Sequence, residues 1–286
     1  MRLTKEQVES YEENGFLVRE NLLSETEIEI LMGDLPGLFA EESPRRIMER
    51  TGAVRTVFAP HFSNEVYDRL SRLPRLVEAA QQLLGSEVYI HQYKINAKVA
   101  LEGDQWEWHQ DFLYWNKEDG MPTPRVVTAA IFLQEVHEFN GPLLVIPGTH
   151  RQPVVDLKAE QKYFKEDHTS LRTEMDTAPP WMSTLTADLK YKINKDILGR
   201  LLRHSRIHAI KGGAGLVLFF HGNLFHASAG NLSAADRISV FITYNSVRNP
   251  LRRPEKPRPT FIANPDCTPI SPVDDNALLE MSVQHT

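Results

Sequence analysis

Cysteine is nearly absent from this chain of 286 residues, which contains one, Cys267. A single cysteine cannot close an internal disulfide, so a secreted scaffold held by disulfides is not expected. No run of about 18 apolar residues occurs, which argues against a transmembrane span. The N-terminal segment is charged throughout and lacks the apolar stretch of a signal peptide. An excess of positive charge is lacking too, since the net charge is −6, and this argues against nucleic acid as the main partner.

The composition that remains is that of a globular protein. Hydrophobic residues make up 41% of the chain and charged residues 24%, which is too apolar for a disordered chain. A chain of this length can bury one large core, so we expect one domain over residues 1–286. We expect it in the cytoplasm, with a small molecule as its partner rather than nucleic acid or a membrane.

Residues 1–85 predict a helical layer. Thr4 followed by Gln7, and Ser24 followed by Glu27, are two capping boxes, each of which marks the start of a helix. A third helix is predicted over residues 64–84, where apolar residues keep a helical spacing and Gly85 follows as a stop.

Residues 86–248 predict a β-rich core, because the hydrophobic period changes to two. The strand candidates are Val88–Lys98, Val126–Leu133, Leu143–Ile146, Leu216–Phe220 and Arg237–Val247. These strands do not alternate with helices, so a mainly β double-sheet jelly roll with a helical layer is favoured over a doubly wound sheet. Residues 152–206 interrupt the pattern as an inserted segment that we expect to cover the active site. Residues 249–286, rich in proline and arginine at their start, predict an extended tail.

Three residues have the types and spacing of a metal site. His109 and Asp111 are two apart, which on a strand places both side chains on one face. A second histidine, either His221 or His226, follows the strand candidate Leu216–Phe220. Two histidines and one carboxylate form the facial triad of non-haem Fe(II) oxygenases, which leaves coordination positions open for O₂ and a co-substrate.

Arg237 favours His226 over His221 as the third ligand. It lies eleven residues after His226, at the start of the next strand candidate, so an antiparallel neighbour would bring its guanidinium near the metal. A fixed bidentate cation suits a dicarboxylate co-substrate, with the hydroxyl of Ser228 as its partner. Taken alone, the His-x-Asp pair could be a loop pair or a core histidine, and Arg237 could be a surface charge. The occurrence of all these residues in this order, each next to a predicted strand, favours the metal site.

Three blocks of sequence resemble the phytanoyl-CoA dioxygenase superfamily: residues 109–122 (HQDFLYWNKEDGMP), 139–143 (FNGPL) and 146–150 (IPGTH). Within it, the chain is most similar to ectoine hydroxylases and to bacterial hydroxylases of free amino acids of the leucine 5-hydroxylase kind. This resemblance implies a cupin-like double-stranded β-helix that uses Fe(II), 2-oxoglutarate and O₂, with ascorbate as a helpful reductant.

The resemblance also assigns roles to residues. It implies His109, Asp111 and His226 as iron ligands. For 2-oxoglutarate it implies the set Arg237, Ser228, Thr128 and Lys98. For the substrate side, we expect contacts from Gln92, Trp115, Leu113 and Arg248. Halogenating members have a small residue at the carboxylate corner, so Asp111 predicts hydroxylation.

The substrate expected from this resemblance is a small free amino or imino acid, with leucine first and pipecolate and proline next. The ectoine hydroxylase pattern has a carboxylate where this chain has Leu113, and a serine where it has Gln110. Leucine would remove a polar partner for the ectoine ring, so ectoine or another secondary metabolite is the alternative substrate. A carboxylate substrate needs a cation, which Arg248 or the tail arginines Arg252, Arg253 and Arg258 could supply; the alternative is that these are solvated tail charges. A third hypothesis is a β-sandwich binding protein without catalytic activity.

Overall fold

The structure is a computed structural model that describes residues 2–49, 51–152, 191–193 and 195–282. The described helices are α1 Lys5–Asn14, α2 Glu25–Ala40, α3 Glu65–Ser71, α4 Pro74–Leu84, α5 Asp111–Glu118, α6 Lys195–Leu202 and α7 Leu279–Ser282. The described strands are β1 Phe16–Arg19, β2 Arg46–Met48, β3 Val54–Phe58, β4 Val88–Lys98, β5 Trp106–His109, β6 Val126–Phe132, β7 Leu143–Val145, β8 His208–Ile210, β9 Val217–His221, β10 His226–Ser228 and β11 Arg237–Ser246.

Two antiparallel sheets face each other. The large sheet has the order β1-β9-β6-β11-β4-β3-β2, and the small sheet has the order β5-β10-β7-β8. Side chains of both sheets, among them Phe132, Phe220 and Phe241 from the large sheet and Val145 from the small one, share one buried cluster. The predicted jelly roll is therefore confirmed.

The helical layer covers the other face of the large sheet. Alternate residues of β11, among them Val240 and Ile242, pack with side chains of α2, α3 and α4 in the largest buried cluster, as the two-residue period of a strand requires. The intervening residues of β11, such as Arg237 and Phe241, face the small sheet and line the cavity described below. One strand thus supplies both the core and the site.

Both predicted capping boxes are present, at Thr4 and Ser24. The single helix expected over residues 64–84 is wrong, because α3 ends at Ser71 and α4 begins at Pro74. Proline has no backbone N–H and fixes its own φ, so it suits the first turn of a new helix better than the interior of a long one.

The N-terminal part contains more strand than the single short strand that Gly15–Val18 predicts between the first two helices; that strand is present as β1. Strands β2 and β3 were not expected; β3 pairs with β4 and extends the large sheet over the cavity. Most of the inserted segment, residues 153–190 and 194, lies outside the described residues, so its expected covering role stays a prediction. The described part of the tail is irregular apart from α7, and Arg252 donates a backbone hydrogen bond to the carbonyl of Gly120. Gly120 has φ +73°, and a Cβ there would meet the Arg252 carbonyl.

No helix among the described residues is long and apolar enough to cross a membrane.

Candidate active site

The three predicted metal ligands meet at one end of the small sheet. His109 ends β5 and lies directly opposite His226, the first residue of β10, in the antiparallel register. Their ring centroids are 4.2 Å apart. His109 Nε2 lies 3.6 Å from Asp111 Oδ1, and His226 Nε2 lies 3.6 Å from Asp111 Oδ2. One possible ligand atom from each residue lies within 4.8 Å of the other two.

Asp111 does not lie on a strand with His109, which corrects the sequence-based interpretation. It is the first residue of α5, while Gln110 before it is extended. A carboxylate in the first turn of a helix is favoured by the partial positive charge of the backbone N–H groups there. The turn from strand into helix, rather than the alternation of a strand, brings Asp111 back beside His109.

Each imidazole is oriented by a backbone carbonyl. His109 Nδ1 lies 2.6 Å from the Glu107 carbonyl, and His226 Nδ1 lies 3.0 Å from the Leu224 carbonyl. A proton on Nδ1 makes both bonds and leaves the Nε2 lone pairs directed at Asp111. Two imidazole nitrogens and one carboxylate in a buried setting are the donor set of a facial Fe(II) site, so these residues fit the metal.

The charge state of the site also suits a cation. Burial, with the nearby His109, lowers the pKa of His226 to about 4, which keeps its Nε2 unprotonated at neutral pH. Burial alone would raise the pKa of Asp111, but His226, His109 and Lys94 together hold it below its ordinary value. The metal-free site therefore holds neutral His226 and an ionised Asp111, ready to bind a divalent cation.

Buried histidines predict a loss of stability in mild acid. The pKa values of His61, His221 and His226 are each lowered from 6.5 to about 4, chiefly by burial. Because the unfolded chain takes up protons first, the free energy of unfolding of the metal-free protein should fall as pH drops from about 6.5 to 4. Each such group contributes on the order of 3 kcal/mol. Denaturant titrations at several pH values measure this fall.

A matched pair of variants tests the assignment. His61 stacks on Tyr93 at 4.9 Å between ring centroids, so His61→Phe keeps the packing and should make the loss of stability in acid smaller. His204 is exposed, and His204→Gln should leave the pH dependence as in the unmodified protein. An unchanged pH dependence in His61→Phe would contradict the prediction.

His221 does not join the metal ligands. Its ring faces His150, with ring centroids 5.4 Å apart, and its Nδ1 accepts the backbone N–H of Asn223. The strand β9 ends at His221, and a tight turn separates it from His226. The structure thus separates the two histidines that compete for the third position in the sequence.

A cavity lies between the two sheets beside the metal ligands. Its lining residues are Thr56, Phe58, Gln92, Lys94, Asn96, Trp106, His109, Asp111, Tyr114, Trp115, Leu143, His226, Ala227, Ser228, Arg237, Phe241 and Arg258. Among these described residues three are cationic, Lys94, Arg237 and Arg258, and one, Asp111, is acidic. Such a wall suits ligands that carry carboxylates.

Arg237 lines the cavity and is almost fully buried. Its Nη2 donates to the Gly141 carbonyl at 2.9 Å and lies 3.4 Å from Ser228 Oγ, while Nη1 donates to Ser239 Oγ at 2.6 Å. Burial lowers its pKa to about 10, and no carboxylate of the described residues forms an ion pair with it. A buried cation held only by neutral groups is costly unless an anion joins it.

Four other predicted residues lie outside the cavity wall that the described residues form. Lys98 is opposite Arg237 in the register of β4 and β11, and its Nζ donates to the Asp104 carbonyl. The hydroxyl of Thr128 pairs with that of Thr243 at 3.1 Å. Leu113 is buried, and Arg248 is exposed beyond the end of β11. Gln92 and Trp115, by contrast, do line the cavity.

Sequence reasoning missed two lining residues of β4. Lys94 and Asn96 follow Gln92 at the two-residue spacing of one strand face, so the period could have identified them. Burial lowers the pKa of Lys94, although Asp111 opposes this. Asn96 Oδ1 accepts the hydroxyl of Thr56 at 2.9 Å. Both are partly buried polar groups in the cavity that holds the metal ligands.

Arg258 comes from the tail and is buried in the cavity wall. Its Nε and Nη2 donate to the two carboxylate oxygens of Asp119 at 2.7 and 2.6 Å. His91 Nε2 lies 3.3 Å from the same carboxylate. Burial would raise the pKa of Asp119, but Arg258 and His91 lower it. Of the tail arginines weighed from the sequence, this one reaches the site.

Comparison with known proteins agrees with this geometry. The model of the phytanoyl-CoA dioxygenase (PhyH) family matches residues 11–239. The chain is 38% identical over 269 residues to L-proline trans-4-hydroxylase of Streptomyces griseoviridis, covering 94% of this chain and 95% of that one. It is 35% identical over 288 residues to ectoine dioxygenase of Bordetella bronchiseptica, covering 97% and 88%.

Solved structures show the same fold. EctD from S. alaskensis with bound Fe superposes with a TM-score of 0.80 at 28% identity, covering 95% of this chain and 88% of that one. EctD with 2-oxoglutarate and 5-hydroxyectoine gives 0.78 at 30% identity, with the same coverage. The chain belongs to the phytanoyl-CoA dioxygenase family, and the class predicted from its sequence, an Fe(II)- and 2-oxoglutarate-dependent dioxygenase, is confirmed.

Proposed function

We propose that this enzyme hydroxylates an unactivated C–H bond of a small free amino or imino acid, releasing succinate and CO₂. The observation that carries the proposal is the cationic wall of the cavity beside the metal ligands: Arg237 forms no ion pair with a described carboxylate, and Lys94 and Arg258 line the same cavity. Two carboxylate-bearing ligands, 2-oxoglutarate and the substrate, suit such a wall. The single cysteine suits a reducing compartment, and we place the reaction in the cytoplasm.

His109, Asp111 and His226 would hold iron on one face. When bound, iron supplies the chemistry that couples O₂ reduction to decarboxylation of 2-oxoglutarate and to C–H oxidation. The residues around it position the reactants and exclude water, and that exclusion strengthens every charged contact in the site. Trp115 and Phe241 provide apolar walls for this purpose.

Arg237 would bind the distal carboxylate of 2-oxoglutarate, with the Ser228 hydroxyl beside it. The Gly141 carbonyl fixes the guanidinium; Gly141 has φ +77°, and a Cβ there would meet the side chain of Lys98. Lys98 and Thr128 do not line the cavity among the described residues, and their polar atoms already bond the Asp104 carbonyl and the Thr243 hydroxyl, so contact between either side chain and 2-oxoglutarate would need these bonds to rearrange. Their expected roles stay predictions.

Arg258 would bind the substrate carboxylate. It lines the cavity, and Asp119 fixes its guanidinium from the side. Lys94 of β4 adds a second cation to the wall, and Gln92 and Trp115 line the same cavity. Arg248, the cation favoured from the sequence, is exposed and beyond this wall, so we propose Arg258 in its place.

The relatives favour a cyclic substrate. The match to an L-proline trans-4-hydroxylase covers nearly the whole of both chains, which moves proline and pipecolate ahead of leucine in this proposal. Ectoine is the second candidate, because ectoine dioxygenases match over a similar length and Gln92 lines the cavity.

A substrate panel tests the proposal. L-proline, L-pipecolate, L-leucine and ectoine are each incubated with the enzyme, Fe(II), 2-oxoglutarate and ascorbate, and mass spectrometry detects the gain of one oxygen. We expect hydroxylation of an imino acid with succinate formed in equal amount. Hydroxylation of ectoine alone would overturn the ranking, and no product from any amino or imino acid would overturn the substrate class.

Arg237→Gln should raise the KM for 2-oxoglutarate by about 10- to 100-fold, since a charged partner of a buried carboxylate contributes about 1.5–3 kcal/mol. The affinity for metal alone should stay the same, because Arg237 does not contact the ligands. Steady-state kinetics and a metal titration of the same variant measure the two effects. An unchanged KM for 2-oxoglutarate would contradict the role of Arg237.

A further inference from the structure

A buried pair of amides joins the two segments that carry the metal ligands. Gln110 lies between His109 and Asp111, and Asn223 lies three residues before His226. The Nε2 of Gln110 donates to the backbone carbonyl of Asn223 at 3.0 Å and to its Oδ1 at 2.8 Å. Both side chains are almost fully buried, so water does not replace these bonds.

The backbone reinforces the same junction. The N–H of Phe112 donates to the Gly222 carbonyl at 2.8 Å. A Cβ at Gly222 would lie 2.9 Å from the ring of Trp115, so the close approach of the two segments requires glycine there. The start of α5 and the turn before β10 are thus held together at two points.

Asn223 also ties this junction to a third segment. Its Nδ2 donates to the carbonyls of His150 at 3.0 Å and Gln152 at 2.8 Å, and its backbone N–H donates to His221 Nδ1 at 3.0 Å. The side chain and backbone carbonyl of Asn223 thus make four hydrogen bonds, two with Gln110 and two with residues 150–152. Asn223 is therefore the point where the two ligand segments and residues 150–152 meet.

We propose that Gln110 and Asn223 are positioning residues that fix the Asp111 carboxylate relative to the His226 imidazole. Neither side chain is a ligand; each acts through the backbone that carries one. Outer partners of metal ligands typically account for about 10- to 100-fold in metal affinity. The junction sets the angle between the oxygen and nitrogen donors before metal arrives, so its loss weakens metal binding without removing a ligand.

Co(II), which has a visible spectrum that depends on coordination geometry, is the probe. Asn223→Ala and Gln110→Ala should each bind Co(II) about 10- to 100-fold more weakly than the unmodified protein, with a shifted or weakened visible band. Thermal unfolding of the metal-free proteins is measured alongside, so that a loss of fold is seen directly. The two variants differ in site, so failure of one to fold leaves the other to decide.

Asn249→Ala is the matched control. Asn249 is also almost fully buried, and its Nδ2 likewise has two acceptors, the Thr123 carbonyl and Asn245 Oδ1, away from the metal ligands. It should lose stability yet bind Co(II) within twofold of the unmodified protein. Folded Asn223→Ala and Gln110→Ala proteins with unchanged Co(II) affinity and spectrum would overturn the proposal, as would an equal loss of affinity in Asn249→Ala.

Discussion

His226→Ala is expected to abolish turnover and to weaken metal binding by well over 100-fold. The reason is that one of the three donor groups found among the described residues is lost, whereas loss of an outer partner alone already costs about 10- to 100-fold. His226 Nε2 lies 3.6 Å from Asp111, and its ring is 4.2 Å from that of His109. Titration with Fe(II) and 2-oxoglutarate without oxygen, followed by the weak visible charge-transfer band, measures the loss.

His221→Ala provides the comparison. His221 is a buried histidine five residues earlier, with a pKa lowered by burial to about 4 like that of His226. It packs against His150 rather than the metal ligands, so the variant should keep the charge-transfer band even if it is less stable. A charge-transfer band that is lost in His221→Ala and kept in His226→Ala would show that His221, and not His226, is the third metal ligand.

Arg258→Gln is expected to raise the KM for the amino or imino acid by about 100-fold, because a hydrogen bond to a charged group contributes up to about 3 kcal/mol, while leaving the KM for 2-oxoglutarate near its ordinary value. It should also lower the free energy of unfolding by about 3–5 kcal/mol, because the Asp119 carboxylate would remain buried without its partner. Steady-state kinetics with each substrate varied in turn, and denaturant unfolding, measure the two effects. The ratio of succinate to hydroxylated product should rise, since the substrate is no longer held in place.

The double variant Asp119→Asn with Arg258→Gln separates folding from binding. Two neutral amides can hydrogen-bond in place of the ion pair, so much of the lost stability should return. The substrate KM should stay high, because the cation is still missing. Recovery of substrate affinity together with stability would show that Arg258 acts only through the fold.

Much of the fold and the metal site was predictable because both depend on local patterns. The two-residue period identified the strands that carry Lys98 and Arg237, and capping boxes located the first two helices. The metal ligands combined a distinctive residue set with neighbouring strand signals. His226 and His109, far apart in the chain, become neighbours through strand pairing alone.

What could not be predicted depends on contacts between distant segments. Nothing local in the tail distinguishes Arg258 from Arg252 or Arg253, because its role comes from Asp119, 139 residues earlier in the chain. Strand β2 is short, and β3 is defined by its pairing with β4. The sequence also does not predict the turn at Gln110, because a His-x-Asp spacing is compatible both with one strand and with a strand followed by a helix.

Helix α5 has one further consequence, which concerns how the target carbon is selected. Asp111 at its start belongs to the metal site, and Asp119, which caps its end, fixes Arg258. At 1.5 Å per residue, the helix sets a spacing of about 12 Å between these two carboxylate-bearing residues. In the proposed arrangement, this spacing determines which carbon of the substrate lies beside the metal when the substrate carboxylate is bound to Arg258. A one-residue insertion in α5 would turn Asp119 by about 100° and displace the Arg258 guanidinium, so we expect the oxidised carbon to depend on the length of α5 and on the reach of the side chain at 258, for example in Arg258→Lys.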